Sequence, residues 1–243
     1  MATLPLLSVR TITPLLRAFS IAPTIAAQLA SSPRTFATMT GGILLDEIKV
    51  DHDNIRDLLE RFKDAHSKKD EDLCVAISNT IIREAAVHSD AEELSIYKLM
   101  EKHGMTSVAE KDRSDHQEVK QAMAEVDTST QALHADGLAT HAKRVEKACN
   151  LFLEHAKEEE NDQLPRLCAA LDGDDQAKAI DDFLKARKMA PTRPHPSAPQ
   201  HGGATQKAAG AAAKAVDELS NVGRKFVDVK YRHSDGSPSG TYT

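Results

Sequence analysis

The chain has 243 residues, of which 4% are aromatic, none is tryptophan and 28% are charged. This composition favours a helical protein packed with Leu, Ile, Val and Ala over an aromatic-rich β-sandwich. The formal net charge of −6 at pH 7 lacks the basic surplus that nucleic-acid binding requires. The three cysteines are widely spaced and form no Cys-x-x-Cys pair, which argues against a disulfide framework and a thiolate zinc site.

The N-terminal segment 1–36 has the composition of a mitochondrial transit peptide. It is rich in Ser, Thr and Ala, and the first acidic residue of the chain is Asp46. Its basic residues are Arg10, Arg17 and Arg34. The sequence Arg34-Thr35-Phe36, followed by Ala37, resembles a matrix-processing site. We therefore expect a mitochondrial matrix protein, whose formal charge would fall from −6 to −9 when the three arginines are removed.

The alternative for this segment is a disordered tail, or an upstream extension of a protein that starts at Met39, and the protein would then be cytoplasmic. Neither interpretation involves a membrane span. No run in the segment approaches the roughly 20 apolar residues that a spanning helix needs.

Apolar residues recur at helical spacing in four long segments. We predict helices from about Gly42 to His66, from about Asp70 to Lys102, from about Ser107 to Val126, and from about Leu138 onward. The polar stretch from Asp127 to Gly137 is typical of a loop. Pro165 should kink or end the fourth helix because proline removes an interior hydrogen bond. Short links favour an all-α, up-down-up-down four-helix bundle over residues 42–172.

The C-terminal third is expected to add only short elements to this bundle. Residues 173–189 predict a short helix packed on the bundle, and residues 190–205 a proline-rich linker. Residues 206–231 are alanine-rich with apolar residues at rough helical spacing, which predicts a weak amphipathic helix. The Ser- and Gly-rich end, residues 232–243, is typical of a disordered tail.

Two copies of one motif stand out within the helical segments. His88 and Glu92 form one His-x-x-x-Glu pair, and His155 and Glu159 form the other. On an α-helix, positions i and i+4 lie on the same face, so each motif directs an imidazole nitrogen and a carboxylate oxygen at one point. This is a metal-ligand arrangement.

Each motif is preceded by a helix with its own histidine on the apolar stripe, His52 before His88 and His116 before His155. A buried imidazole or carboxylate is costly unless it is paired or binds a cation. A dinuclear metal site at the centre of the bundle would satisfy all six side chains. An imidazole and carboxylate set without thiolate suits iron, manganese or zinc.

The alternative interpretation treats the two motifs as solvated i,i+4 contacts at helix edges. The apolar residues Ile81, Ala85 and Ile96 share the stripe of His88 and Glu92 and argue against it. The neighbouring carboxylates of Glu93, Glu158 and Glu160 are expected to be solvated surface charges. A shift of the helical register by one position would, however, make Glu93 or Glu160 the ligand. The remaining histidines fall off the stripes or in loops, and we expect none to be a ligand: His66, His103, His134, His141, His195, His201 and His233.

His52, His88-x-x-x-Glu92, His116 and His155-x-x-x-Glu159 together resemble the haemerythrin-like, HHE cation-binding family, over about Asp46 to Ala170. The resemblance implies a non-haem centre of two iron ions with the four histidines as terminal ligands and the two glutamates as bridges. It also implies binding of dioxygen, nitric oxide or peroxide, or iron sensing.

This chain departs from the oxygen-carrying haemerythrins on the third helix, where they have a His-x-x-x-His pair. Here Asp112 precedes His116 by four residues and Lys120 follows it by four. Asp112, Lys120 or water could take the place of the missing imidazole, which favours redox reactivity or sensing over reversible oxygen carriage.

Two other functions remain open from the sequence. The first is a di-iron oxidase or peroxidase of the ferritin-like type, although that type needs Glu-x-x-His spacing and more carboxylates. The second is a structural or interaction bundle that has lost its metal and acts through its C-terminal segment.

Overall fold

The computed structural model describes residues 44–133, 137–201 and 203–236. The predicted transit segment 1–36 and the last seven residues of the predicted tail lie outside these ranges. Within them, eight α-helices and one π-helical segment follow one another along the chain. They are α1 (Leu44–Ser67), α2 (Glu71–Leu94), α3 (Ile96–Lys102), α4 (Thr106–Gln131), α5 (Leu138–Glu158), the π-helix (Glu159–Gln163), α6 (Leu164–Ala169), α7 (Gly173–Met189) and α8 (Gly203–Ser220).

The four long helices α1, α2, α4 and α5 form the bundle. Each packs against the next one along the chain, and α5 packs back against α1, which closes the square. Because the connections between them are short, successive helices alternate in direction. The predicted all-α helical bundle is confirmed. No helix in the described ranges is both long and apolar enough to cross a membrane.

The core of the bundle is divided into two apolar clusters. The first is centred on Phe62, Ile81 and Phe152, and the second on Ile48, Tyr97 and Leu164. Along α1, α2 and α4, the predicted metal-binding side chains come between residues of one cluster and residues of the other, and His155 and Glu159 come between Phe152 of α5 and Leu164 of α6. The polar centre is therefore enclosed by hydrocarbon at both ends.

The second predicted helix, Asp70 to Lys102, is interrupted at Ser95, so that α2 and α3 are separate. Ser95 has φ −125° and ψ −68°, outside the helical region. Its hydroxyl donates a 2.6 Å hydrogen bond to the carbonyl oxygen of Ala91, one turn back. A serine hydroxyl that bonds this carbonyl competes with the regular backbone ladder.

The third helix is longer than predicted, because α4 runs through Asp127 to Gln131. The hydroxyls of Thr128, Ser129 and Thr130 all donate to carbonyl oxygens of the preceding turn. Asp127 is held by the guanidinium groups of two arginines from the C-terminal region, Arg193 and Arg224. These contacts satisfy the polar side chains of residues 127–130, so the segment is helical although its polarity predicted a loop.

Pro165 distorts the fourth helix, as predicted, but the distortion precedes it. The chain widens into a π-helix over Glu159–Gln163 and then continues as α6. Pro165 has no N–H to donate to the preceding turn, and a π-turn is one way to accommodate this loss. Glu159, one of the predicted ligands, is the first residue of the π-helix.

The predicted helix over residues 206–231 is wrong beyond residue 220, and the predicted disorder is wrong for residues 232–236. Helix α8 ends at Ser220, and Gly223 adopts φ +81°, which L-residues rarely adopt. The chain then continues without helix. We call residues 224–234 the C-terminal strap, because they lie along α1 and α2.

Polar side chains of the bundle bind the main chain of the strap. Asn54 donates to the carbonyl oxygen of Tyr231 (3.1 Å) and accepts from its N–H (2.8 Å). The Thr80 hydroxyl accepts from Val227 N–H (2.9 Å), and Asn79 donates to the carbonyl oxygen of Lys225 (3.0 Å). These bonds replace the ones that a helix or water would provide, so the main-chain polar groups of the strap are satisfied although it is not helical.

His141 is buried at the apolar end of the bundle, away from the predicted centre. Its ring bonds the hydroxyls of Ser78 (2.9 Å) and Ser129 (2.7 Å). Burial, together with the positive charge of Arg144, lowers the pKa of His141 to about 4. The folded protein therefore keeps this imidazole neutral at pH values at which the unfolded chain protonates it.

We predict that His141 makes stability fall with acidification between about pH 6.5 and pH 4. Over this range the unfolded chain binds a proton that the folded chain does not, so the free energy of unfolding should fall by about 1–3 kcal/mol. Urea unfolding at a series of pH values should show a shallower pH dependence for His141→Gln. Parallel curves for the two proteins would contradict this assignment.

Candidate metal centre

The structure brings the six predicted side chains together inside the bundle. His52 comes from α1, His88 and Glu92 from α2, and His116 from α4. His155 lies in the last turn of α5, and Glu159 is the first residue of the π-helix. All six residues are at least 97% buried.

The donor atoms form two clusters that meet at a carboxylate. One cluster comprises His52, His88, Glu92 and Glu159, and the other comprises Glu92, His116 and His155. Within each cluster the donor atoms lie within 4.8 Å of one another. This spacing is suited to two neighbouring metal ions.

Each of the two carboxylates faces one imidazole of each cluster. Glu92 Oε2 lies 3.1 Å from His88 Nε2 and 3.4 Å from His116 Nε2. Glu159 Oε2 lies 3.4 Å from His52 Nε2, and Glu159 Oε1 lies 3.3 Å from His155 Nε2. The i,i+4 spacing provides the contact within each motif, and bundle packing provides the contact across helices. Both carboxylates are thus placed to bridge.

The opposite nitrogen of every imidazole faces a further carboxylate. His52 Nδ1 lies 2.8 Å from Glu160, and His88 Nδ1 lies 3.2 Å from Asp51. His116 Nδ1 lies 3.2 Å from Glu93, and His155 Nδ1 lies 3.5 Å from Asp115. A histidine that binds a metal commonly donates its other N–H to a carboxylate, which fixes the ring and its tautomer. Three such hydrogen bonds, together with the longer contact between His155 and Asp115, direct four Nε2 atoms inward.

Several inward-facing atoms have no hydrogen-bond partner among the described residues. They are His52 Nε2, His88 Nε2, Glu92 Oε1 and Glu159 Oε2. Buried polar atoms without partners are rare and costly in proteins. A metal ion would satisfy these lone pairs, so the residues fit the cation that the sequence predicts.

The electrostatics of the centre also favour cations. Burial would lower the pKa of His88, but the charge of Glu92 and the hydrogen bond to Asp51 raise it to about 10. Burial is likewise outweighed by Glu159 at His155, whose pKa is raised well above its usual value. The buried carboxylates therefore need positive charge close by, as protons on imidazoles or as metal ions that displace them.

Sequence reasoning missed Tyr97 of α3. Its fully buried hydroxyl lies 2.9 Å from His116 Nε2 and 3.2 Å from His155 Nε2. Its single proton can be donated to Glu159 Oε1 (3.3 Å) or to Glu92 Oε2 (3.4 Å). The sequence signal was a phenol on an otherwise apolar stripe, five residues after Glu92. Burial and the charges of Glu159 and Glu92 raise the Tyr97 pKa well above 10, so the hydroxyl keeps its proton.

Lys120 does not replace an imidazole at the centre. Its ammonium donates a 2.7 Å hydrogen bond to Glu93 Oε1, the carboxylate behind His116. Asp112 is closer to the donors, because it shares a third potential metal-binding group with Asp115 and His155. Asp112 Oδ1 accepts from the Gln163 amide at 2.8 Å.

The flanking carboxylates differ from the solvated charges that we expected. Glu93 is fully buried and Glu160 is half-buried, and each orients a histidine. Only Glu158 is an exposed surface charge, paired with Lys111. His233 is also buried instead of lying in a disordered tail, and it bonds Glu47 at 2.8 Å. Whether each of these side chains is buried depends on which part of the chain packs over it, and sequence periodicity does not reveal this.

Comparisons with known proteins agree with this geometry. Residues 43–167, a little more than half of the chain, match the family model of the hemerythrin HHE cation binding domain. A protein of Schizosaccharomyces pombe, described as an uncharacterized hemerythrin-like protein, is 28% identical over 184 residues. That alignment covers 74% of this chain and 86% of the relative. No solved structure gives a significant match.

The matched residues 43–167 contain all six predicted ligands and every helix of the bundle. Two carboxylates between two pairs of carboxylate-supported imidazoles are an arrangement that can hold cations. The chain belongs to the hemerythrin HHE cation-binding family.

Proposed function

We propose that this protein binds two iron ions and uses them to bind dioxygen, nitric oxide or peroxide, or to sense iron. The ligands would be the six predicted residues, His52, His88, Glu92, His116, His155 and Glu159. The observation that carries the proposal is that Glu92 and Glu159 each face an imidazole of both clusters. We further propose that residues 1–36 direct the protein to the mitochondrial matrix, for which their composition is the support.

The donor set supports iron. A set of four imidazoles and two carboxylates without thiolate suits iron, manganese or zinc. Two octahedral ions have about twelve ligand positions, so these six side chains would leave some of the positions open. Bound iron would supply open positions for a small molecule and one-electron chemistry.

The protein's own residues would control access to these positions. The two apolar clusters that enclose the centre limit its contact with water. Tyr97 would provide a hydrogen-bond donor beside His116 and His155, where a bound small molecule could accept it. The four outer carboxylates would keep the imidazoles in position when a ligand binds or leaves.

Tyr97 also favours a second candidate function, that of a di-iron oxidase or peroxidase. A phenol in contact with donors of both clusters can give up an electron and a proton to a bound oxidant. Steady consumption of peroxide or dioxygen in the presence of a reductant would support this enzyme. Stoichiometric binding without turnover would support a carrier or sensor.

Anaerobic reconstitution of the full chain with ferrous iron tests the proposed function. We expect about two irons per chain, and an optical spectrum that changes when air, nitric oxide or peroxide is admitted. Glu159→Gln, which keeps the shape of the side chain but removes its charge, should bind about one iron or less. The control is His66→Gln, because His66 stacks on Phe62 outside the centre. Uptake of a single zinc ion and no iron would sink the proposal.

Metal loading should also stabilise the bundle. A ligand that binds only the folded state adds about 3 kcal/mol to the free energy of unfolding when its free concentration is about 100 times its Kd. Thermal or urea unfolding of chelated and iron-loaded protein measures the difference. Coincident curves would show that the centre does not bind the metal in the folded state.

The Tyr97 hydroxyl should influence the metal-bound centre. We expect Tyr97→Phe to fold and to retain two irons, but to change the spectrum and weaken binding by about tenfold, because residues that support ligands commonly have such effects. Tyr231→Phe is a matched control, since Tyr231 is partly exposed and contacts Asn54 through its main chain. Identical spectra and affinities for Tyr97→Phe and the wild type would assign Tyr97 to packing alone.

A further inference from the structure

The region that follows the matched HHE domain contacts the metal centre from outside the bundle. Three of its side chains reach the carboxylates that orient two imidazoles. Arg187 belongs to α7, Gln206 to α8 and His233 to the C-terminal strap. All three residues are more than 90% buried.

Asp51 is the first of the two carboxylates. Its Oδ2 lies 3.2 Å from His88 Nδ1 and also accepts a hydrogen bond from the Arg187 guanidinium. Its Oδ1 lies 3.1 Å from His233 Nε2. The fully buried Asp51 thus joins a predicted ligand to both α7 and the strap.

Glu93 is the second. Its Oε1 lies 3.2 Å from His116 Nδ1 and accepts from Lys120 at 2.7 Å. Its Oε2 accepts a 2.7 Å hydrogen bond from the Gln206 amide, which also donates to Asp90 at 3.0 Å. Gln206 therefore fixes the end of Glu93 that faces away from the imidazole.

The other two outer carboxylates are held by the bundle itself. Glu160 binds Lys49 and Arg56 of α1, and Asp115 binds Lys111 of α4. The C-terminal region thus supports His88 and His116, one imidazole from each cluster. These are the two imidazoles that face Glu92 Oε2, so the support is directed at one side of the centre.

We propose that the C-terminal region is a working part of the metal centre, in which Arg187, Gln206 and His233 are positioning residues that hold Asp51 and Glu93 against His88 and His116. A buried carboxylate that loses one of its donors is left with unpaired charge and turns towards another partner. The imidazole behind it then loses the bond that fixes its ring. This inference rests on the proposed function, because the positions matter only if the imidazoles bind metal.

The coupling must be reciprocal. If the docked C-terminal region strengthens metal binding, bound metal strengthens docking by the same factor. Binding of metal would therefore make α8 and the strap dock more tightly on the outer surface of the bundle.

Three variants and three matched controls test the proposal on the full chain, with ferrous iron titrated anaerobically against a coloured chelator. The variants are Arg187→Gln, Gln206→Ala and His233→Ala. Each control replaces a residue of the same type as its variant. The replaced residue makes a contact of the C-terminal region that does not involve Asp51 or Glu93. These controls are Arg193→Gln, which releases Asp127; Gln117→Ala, which releases the carbonyl oxygen of Pro196; and His195→Ala, which releases Asp217.

We expect each variant to weaken iron binding by about tenfold and to alter the spectrum of the loaded protein, whereas the controls stay near the wild type. Arg187→Lys should recover part of the loss, because it keeps a positive charge beside Asp51. Equal affinities for variants and controls, with normal binding by the wild type, would overturn the positioning role alone. A wild type that takes up no iron would overturn the proposed function together with this inference.

Limited trypsin digestion of the wild-type protein gives a second measurement that does not depend on variants folding. Bound iron should slow cleavage after Lys207, Lys214 and Lys230. The expected factor is about the one by which docking of the C-terminal region raises the affinity for iron. Equal cleavage rates with and without iron would contradict the coupling.

Discussion

The structure depends on the burial of two carboxylates and four imidazoles between two apolar clusters. Such charges are costly inside a protein unless they are paired or bind a cation. Glu92 and Glu159 meet this constraint by facing imidazoles of both clusters. The four bundle helices each contribute to the same small volume, so their register is tied to the geometry of the centre. A cation would complete the arrangement, because it would satisfy inward-facing atoms that have no hydrogen bond within the described part of the chain.

The constraint continues outward in layers. Each imidazole needs a carboxylate on its far side, and each of these carboxylates needs donors of its own. Two of them, Glu160 and Asp115, take their donors from surface residues of the bundle. Asp51 and Glu93 are buried more deeply and take donors from beyond the HHE domain, Glu93 in addition to Lys120 of α4. The C-terminal region is therefore continuous with the centre in its hydrogen bonding.

Sequence periodicity was sufficient for the bundle and for bringing the six predicted ligands together, because i,i+4 pairs and apolar stripes are local properties of helices. It was insufficient for the partners of those residues. Tyr97, Asp51 and Glu93 reach the centre through packing between helices, and the periodicity of their own segments does not show which helix they will face. The strap was missed for a related reason. Its backbone is bonded by side chains such as Asn54, nearly 180 residues away in sequence.

The central claim is that these six side chains hold a pair of metal ions. X-ray absorption spectroscopy at the iron edge of the reconstituted, full-length protein tests it most directly. We expect a surrounding of nitrogen and oxygen atoms with imidazole scattering, together with a metal–metal distance of about 3.5–4 Å, as in two-metal sites. Sulfur ligands, or the absence of a metal–metal signal at full loading, would contradict the claim.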